Sequence, residues 1–241
     1  MITGASKGIG AQIASLFADA GADIVITGRD ATGLEATKQV IEKKGSLCLS
    51  LTSDLRTIEG VHYVGQKALD FLGTVDILVN NAGIAHIESL LETTLEHWEE
   101  TQNLNIRAPF LLAQMVAPKM IEQRCGKIIN ISSIAAVLAP EGFAAYSVSK
   151  AGLNLLTQTM AAEWAQFNIQ SNAVAPTTVL TAMSSHFWGD PEKADPMKAR
   201  IPSNRFGEPH EIADLVLFLA SSMSNFICGQ VLRIDGGHSA V

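Results

Sequence analysis

Short apolar runs, bounded by glycine, proline or polar turns, alternate along the chain with longer stretches whose apolar positions recur three and four residues apart. Residues 24–26, 47–51, 75–79, 127–131, 169–174 and 230–234 read as short buried strands. Residues 10–20, 33–44, 59–72, 95–123, 147–167 and 209–221 carry helical periodicity between them. Strands apolar on both faces, separated by amphipathic helices, predict an α/β fold with a doubly wound parallel sheet covered on both sides. No repeat or linker divides the pattern, so 1–241 reads as a single domain. Residues 181–207, with Pro191, Pro196 and Pro202, break the rhythm and read as an insertion. The start is unusual, because Met1-Ile2-Thr3 leaves little room for a first strand ahead of a glycine-rich turn. Either that strand is very short or the chain begins a few residues downstream of its natural start.

Composition narrows the class. With 47% hydrophobic and 17% charged residues, 241 residues suffice for one large core. A net charge of −7 argues against nucleic acid or an anionic membrane as partner. Cys48, Cys125 and Cys228 are odd in number and far apart, which fits free thiols in a reducing compartment and predicts no metal cluster. No apolar run is long enough to span a membrane, and the first residues lack the charged-then-apolar form of a signal peptide. The expectation is a cytoplasmic protein.

Thr3-Gly4-Ala5-Ser6-Lys7-Gly8-Ile9-Gly10 connects the first strand to a helix. Gly4 permits a tight turn, Gly8 lets a phosphate approach the backbone, and Gly10 allows the helix to pack closely on the sheet. Exposed N–H groups and the positive end of the helix dipole would then face a pyrophosphate. Glycines punctuate many loops, so the strand–turn–helix–strand context gives the motif its weight. Dinucleotide folds read the ribose 2′ position about 20 residues further on. There the chain has Thr27-Gly28-Arg29-Asp30, with no acid at the first two positions. Arg29 and Lys7 on one side suit a 2′-phosphate, hence NADP rather than NAD, unless both are simply solvated or Asp30 pairs with Arg29. Asp54 is placed either to meet an adenine amino group or to cap the next helix. Asn80-Asn81-Ala82-Gly83 closes a strand with small residues and amides.

Further on, Tyr146 and Lys150 stand four apart where a loop gives way to a helix, so they share a face. A neighbouring ammonium favours phenolate and suits the phenol to proton exchange with an alcohol or carbonyl oxygen. Ser133, at the end of an apolar strand, is available to the same oxygen. Alone, this spacing is as compatible with an ordinary amphipathic helix.

Together, Thr3 to Gly10, Asn80 to Gly83, Asn105 followed by Phe110, Ser133, Tyr146 with Lys150, and Asp235-Gly236-Gly237 resemble the short-chain dehydrogenase/reductase family of classical type. The matches keep the family's order along nearly the whole chain. The resemblance implies a hydride-transfer enzyme with a Rossmann-type sheet of about seven strands. Tyr146 would be the general acid/base, and Lys150 would lower its pKa and hold the nicotinamide ribose. Ser133 would steady the substrate oxygen, and Asn105 would hold a water in the proton relay. The implied cofactor set is Gly4, Ser6, Lys7, Gly8, Ile9, Gly10, Arg29, Asp54, Leu55, Asn81, Ala82, Gly83, Tyr146, Lys150, Pro176, Thr178 and Thr181. A homotetramer built on the long helices from Leu95 and Ser147 is also implied.

The family's Pro-Gly after the sixth strand is here Pro176-Thr177, followed by Thr178-Val179-Leu180-Thr181. This version resembles polyol and sugar-type members, including xylulose reductases, and points to a small hydroxylated substrate. The rival is a 3-oxoacyl-[acyl-carrier-protein] reductase, whose basic pair for the acidic carrier is matched here by Arg124 but not by Phe167. A dinucleotide-binding sensor without turnover is the non-enzyme alternative, disfavoured by intact Ser133, Tyr146 and Lys150. Met183, His186, Phe187 and Trp188 are expected to cover the substrate, with His86, Glu141 and Phe143 approaching from other loops. Residues 181–207 would thus form a lid, unless their aromatics pack on their own scaffold.

Overall fold

The structure, a computed structural model, describes residues 1–181 and 188–240. Seven parallel strands form one sheet: β1 (Ile2–Thr3), β2 (Ile24–Gly28), β3 (Cys48–Thr52), β4 (Ile77–Asn80), β5 (Gly126–Ile131), β6 (Ile169–Pro176) and β7 (Val231–Ile234). Their spatial order is β3-β2-β1-β4-β5-β6-β7. The order of strand addition reverses between β1 and β4, which opens a crevice at the strands' carboxyl ends. The two-residue β1 is held from both sides, with Ile2 in register with Ile26 of β2 and Val79 of β4.

Successive strand residues enter opposite cores, as a period of two requires. Ile26, Val79 and Ile129 pack with Ile13 of α1 (Gly8–Asp19), Leu34 of α2 (Ala31–Lys43) and Val216 of the helix Pro209–Ala220. Their neighbours Val25, Leu78 and Ile128 pack with Val64 of α3 (Ile58–Leu72), Leu112 further along and Met160 near the end of a 21-residue helix, Ala144–Trp164. These strand residues are buried completely or to within 1%. Each burial contributes about 1.5–3 kcal/mol, so slipping a strand by one residue would find no solvent-tolerant face. Among the described residues no helix is long and apolar enough to cross a membrane.

The stretch 95–123 corrects its sequence reading as one helix. It consists of α4 (Leu95–Gln102), a π-helical turn (Asn103–Arg107) and α5 (Ala108–Gln123). The Ala108 N–H reaches five residues back to the Asn103 carbonyl. The widened turn carries Leu104 and Asn105 inward, both buried. Pro109, lacking an N–H, cannot donate to the Asn105 carbonyl four residues back, which removes one bond that would hold a regular helix there.

The insertion has structure of its own. A short helix (Pro191–Ala199) is capped by Asp190, whose carboxylate accepts from the Glu192 N–H at 3.0 Å. Ala194, Ile201 and Phe206 form a small apolar cluster beside it.

Candidate active site

The glycine-rich turn leaves β1 at Gly4 and enters α1 at Gly8, with φ of +66° and +60°. Glycine adopts these values without the strain they impose on most side chains. Lys7 caps α1 with extended backbone and no side-chain cap, leaving the first N–H groups of the helix without a capping side chain. The turn is fixed from the β4 end. Asn81 Nδ2 donates to the Thr3 and Gly4 carbonyls at 2.9 and 3.0 Å, and Thr3 Oγ1 accepts from the Asn81 and Ala82 N–H groups. Gly10 is a packing residue: a Cβ there would lie 2.4 Å from the Gly4 oxygen and 2.5 Å from Asn81 Nδ2.

A cavity of about 340 Å³ runs over this turn. Of the cofactor residues implied by the sequence, Gly4, Ser6, Lys7, Gly8, Arg29, Asp54, Leu55, Asn81, Ala82, Gly83 and Thr181 line it. Ile9, Gly10, Tyr146, Lys150, Pro176 and Thr178 stand outside the lining. Two polar alternatives left by the sequence are resolved. Asp30 caps α2 by accepting from Gly33 N–H at 3.0 Å, and no ion pair joins it to Arg29 among the described residues. Asp54 does not cap α3, because Thr57 does. Its carboxylate instead accepts from Arg56 Nε and Nη2 at 3.0 and 2.7 Å, bonds that hold its pKa below the usual carboxylate range. Arg56 also pairs with Glu100 of α4.

The other end of the crevice is built from side chains. β5 delivers Ser133 just beyond its last residue. The Ala144–Trp164 helix delivers Tyr146 and Lys150 one turn apart, with Lys150 Nζ 5.5 Å from the Tyr146 ring centroid. The Ser133 hydroxyl stands close enough to the phenol to favour its ionised form, and its Oγ accepts from Ala135 N–H at 3.1 Å. Lys150 Nζ donates to the Ile131 carbonyl at 2.8 Å. A Cβ on Gly83 would fall 3.3 Å from Asn105 Oδ1 and 3.4 Å from Lys150 Nζ, so Gly83 joins the cavity wall to both side chains.

Electrostatics depart from the sequence expectation. Burial raises the Tyr146 phenol above its ordinary value, only partly opposed by the Ser133 hydroxyl. Burial also brings Lys150 down to about 8. An ammonium was expected to draw the phenol downward. Here it is itself desolvated and directs a proton at the Ile131 carbonyl, so desolvation of the phenol prevails. The chemistry open to the trio is proton exchange at an oxygen between Ser133 and Tyr146, with Lys150 beneath.

Asn105 is completely buried, and its amide is engaged. Nδ2 donates to the Ile84 carbonyl and to Ser149 Oγ, each at 2.9 Å, and Oδ1 accepts from Ile84 N–H at 3.0 Å. Ser149, which the sequence reading missed, passes the chain on by donating to the Tyr146 carbonyl at 2.6 Å. Its position one residue before Lys150 was the available signal. Asn105 thus ties the segment after β4 to the helix that carries Tyr146.

The expected substrate residues divide. Phe143 meets Tyr146 edge to face with centroids 6.1 Å apart, and Glu141 is exposed on the same loop. His86 turns to α4, stacked on His97 at 4.0 Å with Nε2 3.3 Å from Glu100. Trp188 packs on Phe206 at 5.8 Å, within the insertion's own apolar cluster. Met183, His186 and Phe187 lie outside the described residues.

The residues fit a bound dinucleotide: glycines that no side chain could replace, open helix N–H groups, and a cavity leading from Arg29 to Gly83, which adjoins Lys150. A sequence profile described as Enoyl-(Acyl carrier protein) reductase matches residues 4–239. The chain is 36% identical over 239 residues to an NAD-dependent glycerol dehydrogenase of Listeria innocua serovar 6a, covering 99% of this chain and 92% of that one. It is 40% identical over 242 residues to a 3-oxoacyl-[acyl-carrier-protein] reductase of Thermotoga maritima, covering 98% and 96%. A solved gluconate 5-dehydrogenase of Burkholderia cenocepacia J2315, in complex with NADP and tartrate, superposes with a TM-score of 0.93 at 34% identity, covering 100% and 94%. With sheet order, glycine cavity and whole-length similarity in agreement, this chain belongs to the short-chain dehydrogenase/reductase family and is a nicotinamide-dependent alcohol/carbonyl oxidoreductase.

Proposed function

We propose that this enzyme interconverts a small polyhydroxylated alcohol and its carbonyl form with NADP as the preferred cofactor. The observation that carries the reading is the meeting of Ser133, Tyr146 and Lys150 at the Gly83 end of the glycine-walled cavity. A bound nicotinamide supplies or accepts the hydride. The protein's work is to hold the reacting oxygen and manage its proton. Ser133 and Tyr146 hold that oxygen, and the Tyr146 phenol gives up its proton to it during reduction. Lys150, at the foot of the site, holds ribose hydroxyls and supports negative charge on the phenol. Asn105 fixes the spacing between the cavity wall and the catalytic helix through Ile84 and Ser149. Arg29 and Lys7, both exposed at the cavity, take the 2′-phosphate.

Reduction of a carrier-bound 3-oxoacyl group is the second reading, favoured by the Thermotoga relative. Two local features oppose it. Arg124 Nη2 is spent on the Gln166 carbonyl at 2.9 Å, and Phe167 stands where a second cation would be needed. A homotetramer fits the apolar strip formed by Ile106 of the π-helical turn, Phe110 of α5, and Val148, Leu155 and Leu156 of the catalytic helix, where Leu155 is 64% exposed. The deciding experiment follows NADPH absorbance with a panel of ketoses, diketones and acetoacetyl thioesters. Turnover confined to thioesters would overturn the substrate reading, and equal use of NADH would overturn the cofactor preference.

A further inference from the structure

The C-terminal turn does more than end the sheet. Asp235 follows β7, and its carboxylate accepts from the Gly237 and Ser239 N–H groups at 3.0 Å each and from Ser239 Oγ at 2.5 Å. Its carbonyl accepts the His238 N–H at 3.1 Å. The turn is therefore closed on itself, and it aims His238 inward, where 8% of the residue remains exposed. There the imidazole Nδ1 lies 2.9 Å from Thr177 Oγ1.

Thr177 opens the segment that leaves β6 toward the cofactor cavity. The segment is stitched to the far end of the insertion, with Gly207 N–H donating to the Thr178 carbonyl at 3.0 Å and Leu180 N–H to the Gly207 carbonyl at 2.8 Å. It then delivers Thr181 against the glycine-rich turn, its Cγ2 only 3.2 Å from where a Cβ on Gly8 would sit. The insertion also leans on the C-terminal turn, through Ser203 N–H to the Gly236 carbonyl at 3.1 Å and Pro202 against Gly237. Thr181 is thus one wall of the cavity, and the bond from Thr177 to His238 stands at the root of its segment.

We propose that His238 is a positioning residue for the dinucleotide site: by holding Thr177 it sets where Thr181 stands over the glycine-rich turn, and so sets cofactor affinity. The inference rests on the cavity being the dinucleotide site, and the wild-type titration tests that premise by itself. Burial and the nearby Arg200 hold the imidazole pKa below its usual value, while Asp235 opposes them. The neutral ring therefore makes this bond at pH 7. Asparagine places a polar atom near the position of Nδ1, whereas leucine removes the partner of the half-buried Thr177 hydroxyl.

The test is calorimetric titration of the intact protein with NADPH, beside thermal melting of the same samples. His238→Leu and Thr177→Val should each weaken NADPH binding about three- to ten-fold, the range set by losing one hydrogen bond. His238→Asn should stay within about two-fold of wild type, and the Leu/Val double variant should bind no worse than the weaker single variant, because both changes remove one bond. Unchanged affinity in Thr177→Val, or losses that simply multiply in the double variant, would overturn the inference. Should His238→Leu fail to fold, Thr177→Val and His238→Asn still decide it. A wild type that binds no dinucleotide would instead refute the assignment of the cavity.

Discussion

The two ends of the crevice achieve their purposes by opposite means. The glycine-rich end, from β1 to the close of β4, works by lacking side chains: at Gly4, Gly8 and Gly10 a side chain would press on neighbouring backbone, the Asn81 amide or Thr181. The catalytic end works by crowding them, with Ser133, Tyr146, Lys150, Asn105 and Ser149 drawn from three separate segments into a desolvated cluster. A site made of absences tolerates almost any neighbour that stays small. A site made of convergent polar groups depends on every element that holds it, and burial shifts the pKa values of its members.

The contrast predicts losses of different kinds. The largest follows from Tyr146→Phe, which keeps the ring and its contact with Phe143 but removes the exchanged proton. Turnover should fall by about 10³-fold, within the range for a lost general acid/base, while NADPH titration stays within two-fold of wild type. A variant retaining a tenth of wild-type kcat would show that the crowded end is not where the chemistry occurs.

At the other end, Gly10→Ala should act on the fold. Its Cβ would meet the Gly4 oxygen at 2.4 Å, so the turn must move away from α1. Urea unfolding should report a loss of about 1–3 kcal/mol, accompanied by weaker dinucleotide binding. Equal stability would mean that the turn has slack the close approach does not suggest.

Arg29→Ala should lower NADPH affinity about ten-fold, as expected for a lost charge-assisted bond. NADH affinity should change little. A parallel loss for both cofactors would move Arg29 from recognition of the 2′-phosphate to a structural role.

The smallest effect is electrostatic. Burial brings the Lys150 ammonium to about 8 in the folded chain, below the 10.5 of a solvated lysine. Between those values the unfolded chain binds a proton that the folded chain has released, so stability from this group rises with pH across that window. Below about pH 8 both states hold the proton and the contribution is flat. Relative to Lys150→Met, wild type should therefore gain stability from pH 8 to 9.5, by at most about 1.4 kcal/mol per pH unit. The raised phenol of Tyr146 acts in the opposite direction, and only near pH 10 and above. A flat difference between wild type and the Met variant would remove the desolvated ammonium from the account.

Sequence patterning determined much of this protein. Apolar runs buried on both faces permit little but a covered parallel sheet, and positive φ at Gly4 and Gly8 leaves a trace because few other residues tolerate it. The Tyr146–Lys150 pair was legible for the same reason, since four residues on a helix is a local distance. Tertiary structure alone decided the rest. The π-helical turn at Asn103–Arg107 keeps a helical pattern of apolar residues, so its change of register left no periodic mark. His86 and Trp188 are ordinary loop and insertion residues until packing turns one onto His97 and the other onto Phe206. The direction of the Tyr146 shift depends on how much water the fold excludes, and the contact between Thr177 and His238 joins residues 61 apart in the chain. Periodicity and backbone permission are properties of neighbours in sequence, whereas desolvation and long-range contact exist only once the sheet has brought distant segments together.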